Sequence, residues 1–182
     1  YSLQMMEEDR MFRILYDKAG CLAEAPEPTA EQYRVKRPEE SQFLFVCNEF
    51  WWCLNNVAKG LWRKEVPYAQ DIVNLHVRPQ LITLLSWKAG IRTNFTCSAG
   101  KSGKYLYRSL SQGDWDRLIR TYAGGRLDEM WEAAEAMCVL FHETALAVAE
   151  QLGFRYDVKE AEASLGFFRH VKGLPEDANE VL

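Results

Sequence analysis

The sequence predicts an all-α fold, a helical bundle of about five to six helices preceded by an extended, proline-containing connector. Three observations carry that expectation. Apolar residues recur at intervals of three and four through most of the chain after residue 40. The segments so marked open on capping residues and close on glycine or proline. Pro26, Pro28 and Pro38 crowd a stretch with no such periodicity. At 182 residues, with 48% apolar and 13% aromatic side chains, the chain is long enough to bury a sizeable core and too rich in large rings for a disordered segment.

Met11 to Tyr16 reads as a short strand or helical turn, closed by the turn signal Asp17-Lys18-Ala19-Gly20. Residues 21–40 read as extended, because proline and the residue before it both resist helix. Residues 1–40 are therefore expected to form a connector and 41–182 a helical domain. Ser41 is the expected N-cap of a helix whose Phe43, Val46, Phe50, Cys53, Val57 and Leu61 share one face, ending near Gly60. A second helix starts at Pro67 and turns Ala69, Ile72, Val73, His76 and Val77 inward. Pro79 is expected to kink or break it, with the pattern resuming from Leu81 to Trp87 and stopping at Gly90. Residues 91–104 read as a loop. Ser111 and Asp114 make a capping box for a helix through Trp115, Leu118, Ile119 and Tyr122, stopped by Gly124-Gly125. A long helix from Leu127 to Leu152 places Met130, Trp131, Ala134, Met137, Cys138, Phe141, Ala145 and Val148 inward and ends at Gly153. A last helix spans Val158 to Lys172, and the acidic tail after Pro175 is expected to fray.

Charge excludes some functions and suggests one. The net charge of −4 offers no bulk attraction to nucleic acid, and no uncharged apolar run approaches the roughly 20 residues a bilayer span needs. Within that acidic chain, residues 55–108 hold nine basic side chains against Glu65 and Asp71, a net +7. A basic centre suits a local anionic ligand such as phosphate, and solvated helix faces would give the same count. Five cysteines without a CxxC pair and three separated histidines give no zinc spacing, so no metal site is expected. The cysteine usage and the absence of a signal-peptide pattern point to a reduced, cytoplasmic compartment.

Glu49, Trp52, Asn56, Lys59 and Arg63 are spaced 3, 4, 3 and 4 and so stack along a second side of the first long helix. Asp71, Asn74 and Arg78 repeat the order of acid, amide and base on the next helix. Two such stripes side by side would form a polar groove with a Trp wall, suited to a hydroxylated ligand; isolated, each stripe is also what an exposed face with i,i+4 ion pairs looks like. Gly100-Lys101-Ser102-Gly103-Lys104 fails the phosphate-loop pattern, because Phe95 stands where GxxxxGK[ST] needs glycine, yet Lys101 and Lys104 remain free to meet phosphates held elsewhere. No nucleophile–His–acid set, dinucleotide fingerprint or carboxylate pair for a hard cation is evident, so no catalytic residue is assigned.

Cys47-Asn48-Glu49-Phe50-Trp51, Val57-Ala58-Lys59-Gly60-Leu61-Trp62-Arg63 and Asn74-x-x-Val77-Arg78-Pro79-x-Leu81 together resemble the aminoglycoside 6-adenylyltransferase (streptomycin adenylyltransferase) family. Further ordered matches are Trp87, Gly100-Lys101, Lys104, Arg108-Ser109-Leu110-Ser111, Trp115, Thr121-Tyr122 and Met130-Trp131, with Ile14-Leu15-Tyr16-Asp17-Lys18 resembling the family's linker. The resemblance runs over nearly all of the chain but covers only the family's C-terminal helical half. It implies an N-terminal nucleotidyltransferase domain upstream of Tyr1, holding the catalytic carboxylates and most of the contacts to Mg²⁺ and ATP. It further implies transfer of AMP from Mg-ATP to a hydroxyl of a streptomycin-like aminoglycoside, that is, antibiotic resistance. On that reading Glu49, Trp52, Asn56, Asp71 and Asn74 meet the polycationic drug. Lys59, Arg78, Lys101 and Lys104 meet the nucleotide phosphates, and the chain alone is expected to be inactive. The implied partners are the drug, ATP and the upstream domain, with no nucleic acid and no membrane; apolar surface facing an absent domain is also compatible with a homodimer. The alternative is a non-catalytic helical binding module derived from the same family.

Overall fold

A computed structural model describes residues 3–175 and 177–178. Its helices are α1 (Leu3–Glu8), α2 (Glu40–Trp62), α3 (Val66–Ile72), α4 (Arg78–Arg92), α5 (Gln112–Ile119), α6 (Leu127–Leu152) and α7 (Val158–Lys172), with a π-helical segment, Val73–Val77, fused between α3 and α4. Short 3₁₀ turns lie at Glu31–Tyr33, Lys101–Gly103 and Leu106–Arg108. No strand occurs among the described residues, and the fold is all-α. No helix among them is long and apolar enough to cross a membrane.

The chain divides into two compact units, one up to Arg34 and one from Val35. The first contains α1, which the sequence pattern does not mark. Met11 to Tyr16, expected as strand or helical turn, is neither; this stretch is irregular, with Leu15 and Tyr16 largely exposed. Met6 is buried in the first unit, and side-chain hydrogen bonds tie its loops. The Asp9 carboxylate accepts from the Met11 N–H and from Gln32, both at 2.9 Å, and the Asp17 carboxylate accepts from the Cys21 and Leu22 N–H groups.

The second unit is built around α2. Its N-cap is Glu39, not Ser41, because Glu39 and Gln42 make a reciprocal capping box that puts Ser41 inside the first turn. Every apolar position predicted on the inner face of α2 is buried, and Trp51 and Leu54 join them. Phe50 stacks on Phe141 of α6 with centroids 3.7 Å apart, and Trp51 meets both rings edge-on. The indole N–H of Trp51 donates to the Tyr156 hydroxyl, which also lies 3.0 Å from Nδ1 of His142. Helices α3, α4, α6 and α7 all pack on α2.

The predicted bounds of α6 and α7 match the structure. Gly153 closes α6 in the left-handed conformation with φ 74°, and the Asp157 side chain caps α7 by accepting from the Glu160 N–H. Other expectations are corrected. His76 is exposed, not inward, and Tyr122 lies beyond the end of α5. The break expected at Pro79 is instead the widened π turn before it, where an α-helical carbonyl would strike the proline ring. The acidic tail lies largely outside the described residues.

Candidate functional site

The outer side of α2 carries the predicted stripe. Trp52 is 68% exposed, Arg63 is exposed, and Glu49, Asn56 and Lys59 are half-buried. The Lys59 ammonium sits 5.8 Å from the centre of the Phe167 ring on α7, so its stem lies along apolar surface while its charge stays within reach of solvent. Asp71 on α3 and Asn74 on the π segment are both exposed.

The structure gathers around Glu49 a group that sequence spacing does not. A carboxylate oxygen of Glu49, Sγ of Cys53 and a ring nitrogen of His76 lie within 4.8 Å of one another. The thiol of Cys53 donates to Glu49 Oε1 at 3.4 Å. Burial, joined by that hydrogen bond and the neighbouring carboxylate charge, pushes the Cys53 thiol up to about 11. The pair Glu49 and Cys53 is legible as an i,i+4 step on a helix. His76 is not, because it depends on α2 and the π segment meeting in space.

Arg78 differs from the other cations. It is buried, with Nη1 donating to the Thr121 hydroxyl at 2.8 Å and Nη2 to the Thr121 carbonyl at 2.9 Å. Nε reaches Asn74 Oδ1 at 3.4 Å, and the Tyr122 ring lies 3.7 Å from the guanidinium carbon. Burial pulls its pKa down while Tyr122 opposes the shift; an arginine still stays charged. Two more of the nine central basic residues are also fastened internally. Lys88 pairs with Asp114 at 2.8 Å, and Arg92 donates to the Ser109 carbonyl at 2.8 Å. The local positive charge is therefore partly structural.

Lys101 and Lys104 stand exposed on a turn packed against α4. That turn has a definite shape. Gly100 and Gly103 have φ of 68° and 77°, and a Cβ at Gly100 would come within 2.5 Å of the Tyr105 ring. The Tyr105 N–H donates to the Ala99 carbonyl at 2.8 Å. Lys104 and Arg108 both rest on the Tyr105 ring, at 4.8 and 4.6 Å from its centre. Among the described residues, no hydrogen bond or ion pair joins this turn to Glu49, Trp52 or Asn56. The structure thus brings Glu49 to His76 and Asn74 to Arg78.

The streptomycin adenylyltransferase family model matches residues 2–171. An aminoglycoside 6-adenylyltransferase of Campylobacter jejuni is 34% identical over 181 residues, which is 96% of this chain and 63% of that protein. The Bacillus subtilis (strain 168) protein of the same name is 34% identical over 81% of this chain and 52% of its own. The crystal structure of an aminoglycoside 6-adenyltransferase from Bacillus subtilis superposes with a TM-score of 0.71 at 33% identity, covering 79% of this chain and 54% of that one. The chain spans between half and two thirds of the length of these relatives. With the family model covering nearly all of it and a relative matched along 96% of its residues, the chain belongs to the streptomycin adenylyltransferase family.

Proposed function

We propose that this chain is the C-terminal, helical part of an aminoglycoside nucleotidyltransferase, one that moves AMP from ATP to a hydroxyl of a streptomycin-like drug. The observation that carries the reading is the family match along residues 2–171. In the reaction the drug hydroxyl gives its proton to a base, its oxygen bonds to the α-phosphorus, the bond from that phosphorus to the bridging β-phosphate oxygen breaks, and pyrophosphate leaves.

The chain's share of that work is positioning and charge. Glu49 and Asp71 offer carboxylates to the cationic groups of the drug, and the exposed Trp52 ring offers a face to a sugar. Asn56 and Asn74 supply neutral hydrogen bonds, with Asn74 held by Arg78. Lys59, Lys101 and Lys104 face the triphosphate. Arg78, its donors committed to Thr121 and Asn74, acts from behind as a strut. Among the described residues, the grouped donors at Glu49 include a thiol and an imidazole, whereas magnesium takes oxygen ligands. The metal and the carboxylates that activate the hydroxyl belong, on this reading, to an N-terminal nucleotidyltransferase domain.

The test starts from the intact mass of the endogenous protein against the 21.1 kDa of this chain. A larger protein should release pyrophosphate from ATP only when streptomycin is present, and the 182-residue chain alone should release none. Turnover by the chain alone would overturn the division of labour. If Glu49→Ala and Lys59→Ala left drug adenylylation in the larger protein unchanged, the binding-module alternative would take its place.

A further inference from the structure

We propose that Glu49, Cys53 and His76 form a binding site for a divalent transition-metal ion of zinc-like softness, with one coordination position left open. The reading is independent of the adenylyl-transfer proposal, although it shares Glu49 with it.

Three features support the site. Glu49 and Cys53 stand one turn apart on the same face of α2, and the π segment supplies the imidazole from a second element, so the ligands come from two packed pieces of backbone. Their donor atoms already lie within 4.8 Å of one another, with the Glu49–Cys53 pair at 3.4 Å. Around tetrahedral zinc, bond lengths of about 2.0–2.3 Å set donor atoms roughly 3.3–3.7 Å apart, so closure asks for side-chain adjustment and no movement of the helices. The π turn is the third feature. Such turns are rare and occur often at functional sites; His76 lies inside this one, so its side chain leaves the face that α-helical spacing assigns it.

Donor chemistry selects the ion. One carboxylate, one thiolate and one imidazole suit zinc or cobalt, and the sulfur disfavours magnesium and calcium. Exposure grades from the buried Cys53 through the half-buried Glu49 to the exposed His76, which gives an entry path from the histidine side. Three protein ligands rather than four leave room for water or an exchangeable group. In the metal-free form the Cys53 thiol donates its proton to Glu49. On binding, the S–H bond breaks, the proton passes to solvent, the sulfur bonds the ion, and no oxidation state changes. The site stands without the adenylyl-transfer reading; where that reading also holds, the ion and the drug's cations would compete for the Glu49 carboxylate.

The test is a Co²⁺ titration of the 182-residue chain under reducing conditions. The expected result is a thiolate-to-cobalt charge-transfer band that saturates at one ion per chain and collapses when Zn²⁺ is added. Cys53→Ser should abolish the band, while Cys21→Ser and Cys97→Ser should retain it. Because Cys53 is buried and its variant risks misfolding, His76→Ala at an exposed position supplies the second arm; it should weaken binding by about tenfold or more. No band, a band that survives in a folded Cys53→Ser chain, or wild-type affinity in His76→Ala would each overturn the proposal.

Discussion

The two sides of α2 obey different rules. Its inner side holds Phe43, Phe50, Val57 and Leu61 at 0–1% exposure, against partners on α4, α6 and α7. Its outer side carries Glu49, Trp52, Asn56 and Lys59, whose surroundings depend on which polar groups neighbouring elements happen to deliver. An apolar side chain gains by burial in any close-packed environment, so periodicity alone locates it. A polar side chain gains only from a specific partner at a specific distance, and spacing along one helix says nothing about a partner on another. The difference predicts that damage to the inner side should appear as lost stability, and damage to the outer side as lost binding.

The largest effect should come from the inner side. Phe141→Ala removes the ring stacked on Phe50 and edge-on to Trp51, and should cost about 3–5 kcal/mol of stability. Urea unfolding followed by the fluorescence of the buried Trp51 and Trp87 would measure it. A cost below about 1 kcal/mol would mean that the α2–α6 contact is not the centre of the core.

Next is Arg78, the one proposed phosphate residue that is buried. Arg78→Ala leaves the Thr121 hydroxyl and carbonyl without their charged donor, and should cost about 1.5–3 kcal/mol. Arg78→Lys should recover little of this, because one ammonium cannot serve both Thr121 oxygens and the Tyr122 face. If the alanine variant unfolds as wild type does but loses ATP affinity, Arg78 belongs with the exposed lysines after all.

Asp114 sharpens the comparison, since it is a buried charge with a full set of partners. Burial raises its carboxyl pKa, but hydrogen bonds from Lys88 and Ser111 outweigh that and hold it below the ordinary 3.8. A depressed folded-state value means the stabilisation is present above the unfolded pKa and is lost as pH falls through the lower, folded one. Wild type should therefore lose stability from about pH 5 downward, and Asp114→Asn should flatten that slope while lowering the plateau. A variant with an unchanged acid limb would assign the loss to other carboxylates.

Legibility in the sequence divides along the same line. The bounds of α6 and α7 could be read because local chemistry sets them: Gly153 in its left-handed turn, and Asp157 reaching the Glu160 N–H. Ser41 misled because serine is a good cap in isolation, while the Glu39–Gln42 box one turn wide outcompetes it. Arg78 matched an exposed pattern, and its burial depends on Thr121, 43 residues away. His76 falls on the inward face only where α-helical spacing continues through residues 73–77, and that segment is π-helical. The resemblance to the family could still be read, since it rests on ordered residues rather than on any one residue's surroundings.

On the outer side, Lys101→Ala in the larger protein should raise the KM for ATP about fivefold with kcat little changed, as expected for an exposed charge contributing about 1 kcal/mol of binding. Lys104→Ala should act similarly and also free Arg108 from its shared position on Tyr105. Steady-state kinetics would decide, and an unchanged KM in both variants would remove the lysine turn from the phosphate site.

The smallest effect should come from a cluster that belongs to neither side of α2. Glu135 on α6 accepts from Arg169 at 2.9 Å and Lys172 at 3.0 Å on α7, and these bonds, Lys172's first, hold its carboxyl below the ordinary 4.5. Good geometry does not make this a strong tie. The three side chains are 29–55% exposed, so water screens each charge, and ordering two long cationic side chains has an entropic cost. Glu135→Gln should therefore lower stability by only about 0.2–1 kcal/mol in dilute buffer. In 1 M salt, where screening acts over about 3 Å, the difference from wild type should shrink toward zero. A loss above about 2 kcal/mol, or one indifferent to salt, would mean that α7 is held to α6 by this cluster and not by the contact of Phe168 with Trp131 beneath it.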